Sequence, residues 1–326
     1  MQQKLFSIFK YLISSGIAIA LFWYIYRDQN FDEMLNKLQY INPKWIYASV
    51  IISLLSHLSR AQRWTIALKP LGYSVYTFHA FLCVMVGYFV NLFVPRAGEV
   101  ARCSLLKKLD NVPVANSFGT VVAERTIDLI ILGMLTIVVI TIEFDRLGNF
   151  LLGNSSLMIK KLPWLIGLAL VGILALIAFF RLRHWLEHNR LLGKLYHFID
   201  ELLKGLLSIF RLQNNLLSWY IFHSFLIWIF YYLMAYVLFF SMEETSSLGM
   251  MCCLTVLVMG SIGVIIPTPG GIGSYHFFVS TAFLTYQISE SIGEYFAFLM
   301  HTSQTLAILC VGGISFAIAF LKNFKR

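Results

Sequence analysis

Long apolar segments dominate this chain and decide what it can fold into. Several of them reach or approach the roughly 20 residues that a helix needs to cross the hydrocarbon core of a bilayer. Only 13% of the 326 residues are charged, which is too few to cover the surface of a soluble protein of this size. The sequence therefore predicts an all-α polytopic membrane protein. Its nine apolar segments are 11–26, 45–59, 75–94, 121–142, 163–180, 216–240, 248–266, 275–288 and 295–320.

The first apolar segment, 11–26, follows Lys4 and Lys10 and resembles a secretion signal in its charge pattern. It lacks a small-x-small cleavage site and ends in aromatic residues typical of a membrane interface, so we expect an uncleaved first span. Basic residues facing anionic lipid account for the net charge of +9 without a nucleic-acid partner. We expect a multi-pass protein of the bacterial inner membrane with both termini in the cytoplasm.

The distribution of basic residues limits the number of full crossings. If every segment crossed, the basic residues after the third segment and those after the fifth would lie outside, against the positive-inside rule. The pattern is restored if 75–94 dips in from the cytoplasm and returns through 91–106, and if 248–266 and 275–288 form a second dip from outside. We therefore expect about six full transmembrane helices and two re-entrant helical hairpins. Segment 75–94 is also long enough to span fully.

These crossings give the two halves of a single membrane domain the same order of elements. Residues 1–150 contain two spans, a dip and a span, and residues 160–326 repeat that order from the opposite side. Such an inverted repeat is the design of many transporters. Between the halves, residues 181–215 are expected to form a cytoplasmic insert. Its helical spacing of apolar residues predicts an amphipathic helix on the inner leaflet, with a partner-binding helix as the alternative.

Charged residues inside apolar segments are the first candidates for function. In "NLFVPRAGEVAR" (91–102), Arg96, Glu99 and Arg102 recur every three residues and would share much of one helix face. Intramembrane charges are expensive and normally face a cavity or each other, and an arginine fork suits phosphate. We favour a site for a phosphate-bearing lipid headgroup over a structural Arg–Glu–Arg network.

Two further charged motifs leave alternatives open. "VVAERTIDL" places Glu124 and Asp128 one turn apart, so the two acids could share a proton or hold a cation, or simply contact water near a helix entrance. "SRAQRW" carries Arg60 and Arg63 on one face, which favours anchoring at the inner membrane boundary. The cysteines and histidines match no metal motif, so no metal or cofactor is expected.

The stretch "PTPGGIGSYHFF" (267–278) interrupts an apolar region with prolines and glycines. Such a break is tolerated in hydrocarbon only when it is buried in protein or lines a wet cavity. The helix that follows it would then direct its positive N-terminus toward that cavity. The alternative is a tight turn outside the membrane between two full spans.

At these residues the chain resembles the lysylphosphatidylglycerol synthase transmembrane region, also called the flippase-like domain family. The resemblance covers nearly the whole chain and rests on "RAQRW", "GYFVNLFVPRAGEVAR", "VVAERTID" and "PTPGGIG". It implies an inverted-repeat fold with re-entrant elements, and movement of a phospholipid or lipid-linked sugar between leaflets. By the resemblance, the residues expected to bind a lipid headgroup are Arg60, Arg63, Asn91, Arg96, Glu99, Arg102, Glu124, Arg125 and Asp128. The re-entrant loop candidates are Pro267, Pro269, Gly270, Gly271, Gly273 and His276.

The sequence departs from the family pattern at two points, and two other functions are alternatives to lipid movement. Many relatives carry an acid where His276 stands, and full-length synthases continue into a soluble domain, whereas this chain ends at "FLKNFKR". We therefore expect a flippase-like transporter and no aminoacylation activity. One alternative is a glycosyltransferase that uses a polyprenyl-phosphate sugar, with the acids Asp28, Asp32 and Glu33 in the first outer loop. The other is a non-catalytic membrane partner of a soluble lipid-modifying enzyme that docks on 181–215.

Overall fold

The described part of the fold consists of helices joined by short connections. The computed structural model describes residues 39, 41–94, 96–144, 146, 212–266, 268 and 271–321, which contain no strand. The predicted segments 11–26 and 163–180, and nearly all of the insert 181–215, lie outside these residues. The main helices are α1 (Pro43–Leu68), α2 (Thr77–Phe93), α3 (Gly98–Asp110), α4 (Val114–Ile142), α5 (Asn214–Phe239), α6 (Met250–Ile265), α7 (Ser274–Thr285) and α8 (Glu290–Leu321).

Helix α1 is longer than the apolar segment that predicted it. The Asn42 side chain accepts a hydrogen bond from the Lys44 backbone amide, and Pro43 occupies the first turn, where its missing N–H is not needed. The apolar run stops near residue 59, but the helix continues to Leu68 because its polar side chains are paired inside the protein. A short 3₁₀ turn follows, and the chain then reverses at Gly72, whose φ is 84°.

Three described helices are long and apolar enough to cross a membrane: Val114–Ile142, Asn214–Phe239 and Glu290–Ala319. They correspond to three of the predicted segments and confirm a helical membrane protein. Helices α2 and α6 are apolar but have only 17 and 16 residues. At 1.5 Å per residue each is about 25 Å long, shorter than the hydrocarbon core of about 30 Å.

Each of these two short helices folds back on the helix that follows it. We call α2 and α3 the first hairpin, and α6 and α7 the second hairpin. The first tip, residues 94–97, breaks the helix because Val94 is extended and Arg96 adopts a φ of 64°. The second tip, residues 266–273, contains Gly271 and Gly273, both with a φ near 80°. Pro95, Pro267, Pro269 and Gly270 lie outside the described residues.

The long helices and the hairpins alternate in the same order twice along the described chain. Helix α1, the first hairpin and α4 are followed by α5, the second hairpin and α8. Helices α1 and α5 pack along each other at the centre. Helix α4 packs on α3 and on α6, and α8 packs on α7 and on α2, so each final helix contacts the hairpins of both halves.

Close backbone contact holds the first hairpin together at its tip. A Cβ added to Gly98 would overlap the Gly87 carbonyl oxygen and lie 2.7 Å from the Asn91 side chain. Overpacking of this kind destabilises a protein by about 1–3 kcal/mol. We therefore expect Gly98→Ala to lower the thermal unfolding midpoint in detergent.

The matched control is Gly133→Ala in α4, where an added Cβ meets nothing within 4 Å. Because alanine favours helix over glycine, this control should melt at or slightly above the wild-type temperature. Equal unfolding midpoints for the two variants would contradict the close packing at the tip.

Candidate functional site

Asp128 of α4 joins the two arginines of α1. It accepts hydrogen bonds from Arg60 Nη1 at 2.8 Å and from Arg63 Nη1 at 2.7 Å. The two arginine side chains are only 3% and 0% exposed. The interpretation of Arg60 and Arg63 as anchors at the membrane boundary is therefore wrong, because both point into the protein from one face of the helix.

Glu124 lies one turn before Asp128 and extends the same network. Its Oε2 accepts a hydrogen bond of 2.6 Å from Arg102 Nη2, and its Oε1 lies 3.8 Å from Arg63 Nε. The Arg102 guanidinium also stacks 4.5 Å from the centre of the Trp64 ring. In the structure, the carboxylates of Glu124 and Asp128 thus bind cationic groups, and these groups are arginine side chains of the protein itself.

A small crevice opens beside this network, between the first hairpin and α4. Its volume is about 10 Å³, close to the minimum that holds one water molecule. Arg125 Nη2 donates a hydrogen bond of 3.0 Å to Glu99 Oε1 on its wall. Side-chain exposure falls from 42% at Arg125 through 21% at Glu99 to 5% at Arg102, so these residues run from the mouth to the floor. The lining residues are Val84, Gly87, Tyr88, Asn91, Gly98, Glu99, Arg102 and Arg125.

Helix α5 supplies neutral partners that the sequence analysis did not single out. The Tyr231 hydroxyl accepts from Arg60 Nη2 at 3.0 Å, and the Ser224 hydroxyl accepts from Arg63 Nη1 at 3.2 Å. Arg63 also lies 5.7 Å from the centre of the Tyr220 ring. The only sequence signal for them was the presence of hydroxyl groups in an otherwise apolar span, which is too common to identify a site.

The network carries a net positive charge and contains N–H donors that form no hydrogen bond. Four arginines, at 60, 63, 102 and 125, face three acids, at 99, 124 and 128, which leaves one net positive charge among these seven residues. Some buried polar atoms of the network have no hydrogen-bond partner: Arg60 Nε, Arg63 Nε and Nη2, Arg102 Nε, Glu99 Oε2 and Glu124 Oε1. Unpaired buried polar atoms are costly; anionic oxygens would satisfy the four guanidinium nitrogens, whereas the two carboxylate oxygens need a donor.

Arg96 differs from its neighbours in position and contact. It precedes α3 in left-handed backbone, so it does not share the helix face of Glu99 and Arg102 as the three-residue spacing suggested. Its side chain is exposed, and Nη2 lies 3.5 Å from the carbonyl oxygen of Ile265 at the end of α6. Arg96 therefore connects the first tip to the end of α6. Asn91 instead stabilises the first tip, where its Oδ1 accepts from the Gly98 amide at 2.7 Å.

His276 has a structural contact at the second tip. Its Nδ1 accepts a hydrogen bond from the Gly273 amide at 3.3 Å, in the first turn of α7. The imidazole is buried, and its ring centre lies 4.9 Å from that of His301 in α8. Gly271 and Gly273 adopt the positive φ values that make glycine necessary there.

The fold and the site define a class: a helical integral membrane protein with a buried arginine–carboxylate network beside two broken-helix hairpins. Comparison with known sequences then identifies the family. The chain belongs to the family described as the lysylphosphatidylglycerol synthase TM region, whose model matches residues 8–312. The resemblance noted in the sequence is thereby confirmed.

Two archaeal relatives are similar to this chain. A UPF0104 membrane protein of Methanocaldococcus jannaschii is 33% identical over 132 residues, which are 40% of this chain and 38% of that protein. A UPF0104 membrane protein of Methanothermobacter thermautotrophicus is 26% identical over 279 residues, or 81% of each chain. No solved structure matches.

Proposed function

We propose that this protein binds lipids with a phosphate-bearing headgroup and moves them between the two leaflets. The observation that carries the proposal is the surplus of buried arginine donors beside a crevice in a membrane protein. Arginine binds phosphate oxygens through paired, charge-assisted hydrogen bonds. Ionisable residues inside a membrane protein are expensive, and the default expectation is that they serve function.

The acids of the network act as internal substitutes for phosphate. Glu124 and Asp128 hold the arginines of α1 and α3 when no headgroup is bound. A phosphodiester competes for the same N–H groups and adds partners to the donors that have none. Because the crevice has room for about one water molecule, the phosphate group itself reaches the floor only when the first hairpin and α4 move apart.

The two hairpins are re-entrant, and the chain is an inverted repeat of residues 1–150 and 160–326. The repeated order of described helices and their reciprocal packing support this proposal. The short lengths of α2 and α6 support re-entry instead of full crossing. In this arrangement the contact between Arg96 and Ile265 marks where the two tips meet inside the bilayer. Transporters with this design hold their substrate between such broken helices.

The residues on which the alternative functions depend lie outside the described part of the chain. They are the acids Asp28, Asp32 and Glu33 for a glycosyltransferase, and nearly all of 181–215 for a docked soluble enzyme. The arginine network itself favours lipid binding, because its donors match a phosphate group and need no sugar-transfer chemistry.

The proposal is tested by lipid movement in liposomes that contain the purified protein. Labelled lipids with phosphate-bearing headgroups are placed in the vesicles, and a membrane-impermeant quencher reports the rate at which they change leaflet. We expect the wild-type protein to accelerate this movement, and Arg125→Leu to reduce the rate at least about tenfold, the effect of losing 1.4 kcal/mol of binding.

Arg146→Leu is the matched control, because Arg146 has a similar exposure of 45% and a single acidic partner, Glu143, but lies outside the network. It should move lipid at the wild-type rate. The proposal is wrong if the wild-type protein accelerates no lipid in the panel, or if the two variants lose the same fraction of the rate.

A further inference from the structure

Glu99 has one carboxylate oxygen that is not used by the protein. Its Oε1 is held by Arg125, whereas its Oε2 is buried in the lining of the crevice without a hydrogen-bond partner. Leaving a buried acceptor unsatisfied is costly, and more so for a charged group. A ligand that brings an N–H or O–H group to this oxygen removes that cost. Phosphate oxygens cannot do so, because they carry no donor.

The size of the crevice restricts what can reach Glu99 Oε2. A volume of about 10 Å³ fits one group the size of a water molecule. A hydroxyl or a primary ammonium group is of that size. A phosphate or a trimethylammonium group is several times larger, and the trimethylammonium group also has no N–H to donate.

The positions of the other charges assign the phosphate to the mouth. Arg125 is the most exposed of the three charged residues in the crevice lining, and its guanidinium bonds to Glu99. Arg102 forms the buried floor, with its Nε lacking a partner. A phosphodiester at Arg125 therefore places its polar substituent toward Glu99, one step deeper into the crevice.

Resting on the function proposed above, we infer that the crevice selects lipids by the group beyond the phosphate. It accepts phosphodiester headgroups that end in a small hydrogen-bond donor, either a hydroxyl as in a glycerol headgroup or an ammonium as in an ethanolamine headgroup. It rejects choline headgroups. Glu99 is the residue that determines this specificity, and Arg125 holds the phosphate.

The test compares three phosphatidyl lipids with identical acyl chains and ethanolamine, glycerol or choline headgroups, each labelled on a chain. Wild-type protein in liposomes should move at least one of the first two about tenfold or more faster than the choline lipid. The faster of the two identifies ammonium or hydroxyl as the preferred donor.

Glu99→Gln then changes the acceptor with little change in shape. Arg125 needs an acceptor, so it retains the amide oxygen, and the amide NH₂ group points into the crevice in place of Oε2. We expect the preference over choline to fall to within about threefold. Glu143→Gln, which removes the acid paired with Arg146 outside the network, should keep the wild-type preference.

The outcomes separate this inference from the function on which it rests. If the wild-type protein moves all three lipids equally fast, the specificity is wrong and lipid movement stands. If Glu99→Gln slows all three lipids by the same factor at an unchanged unfolding midpoint, Glu99 does not select the headgroup. If the wild-type protein moves none of a broad panel of phosphate lipids, the proposed function itself is wrong.

Discussion

Replacing Asp128 by asparagine is expected to lower the free energy of unfolding by about 3–5 kcal/mol, the usual cost of leaving a buried charge without its partner. Asp128 binds Arg60 and Arg63 at 2.8 and 2.7 Å, and both guanidinium groups are buried. Asparagine keeps one acceptor but removes the negative charge that both arginines need. The measurement is denaturant-induced unfolding of the purified protein in detergent.

Glu143→Gln provides the comparison, because Glu143 also pairs with an arginine in the same region of the chain, but Arg146 is 45% exposed. Ion pairs open to water contribute only about 0–1 kcal/mol. A loss of the same small size in both variants would show that the pairs of Asp128 are not buried in the folded protein.

The second large effect concerns Arg102 and Glu124, whose side chains are 5% and 1% exposed and form the shortest ion pair of the network. Either single change to methionine should destabilise the protein by about 3–5 kcal/mol, because it leaves the other charge buried without its closest partner. The Arg102→Met, Glu124→Met double variant should regain most of this stability, since an apolar pair often replaces a buried ion pair without loss.

The same double variant should still move lipid at least about tenfold more slowly than the wild type, because the arginine at the crevice floor is gone. Stability is read from the unfolding midpoint, and lipid movement from the liposome assay. A stable double variant that retains the wild-type rate would mean that these charges only hold the helices together. The alternative given in the sequence analysis, a structural arginine–glutamate network without a headgroup site, would then be correct.

The positions of charged residues in the sequence predicted where the helices break. They did not predict which charged residues pair with each other. Segment 75–94 was predicted to turn and return through 91–106, and α2 does end at Phe93 and pack against α3. The sequence also placed Glu124 and Asp128 on one face of α4, which is where the arginines meet them. These predictions depend on helical spacing and on local charge, which a sequence displays directly.

The pairing itself depends on how whole helices are rotated and packed, which spacing does not determine. Arg125 precedes Asp128 by three residues, yet it bonds to Glu99 of α3. It follows Glu124 by one residue, about 100° around the helix, so these two neighbours reach different residues of α3, Glu99 and Arg102. For the same reason nothing in the apolar sequence of α5 identified Tyr231 as the partner of Arg60.

The contact between the two halves of the chain has a mechanical consequence. Each described ion pair of the network lies within the first half, whereas the bonds from Arg60 and Arg63 to α5 end on the hydroxyls of Tyr231 and Ser224. Such a bond from a charged donor contributes about 1.5–3 kcal/mol. These bonds to α5 can be exchanged for water without separating opposite charges. Opening the crevice is different, because moving the first hairpin away from α4 parts Arg102 from Glu124 and Glu99 from Arg125, so a phosphate must then take the place of the carboxylates.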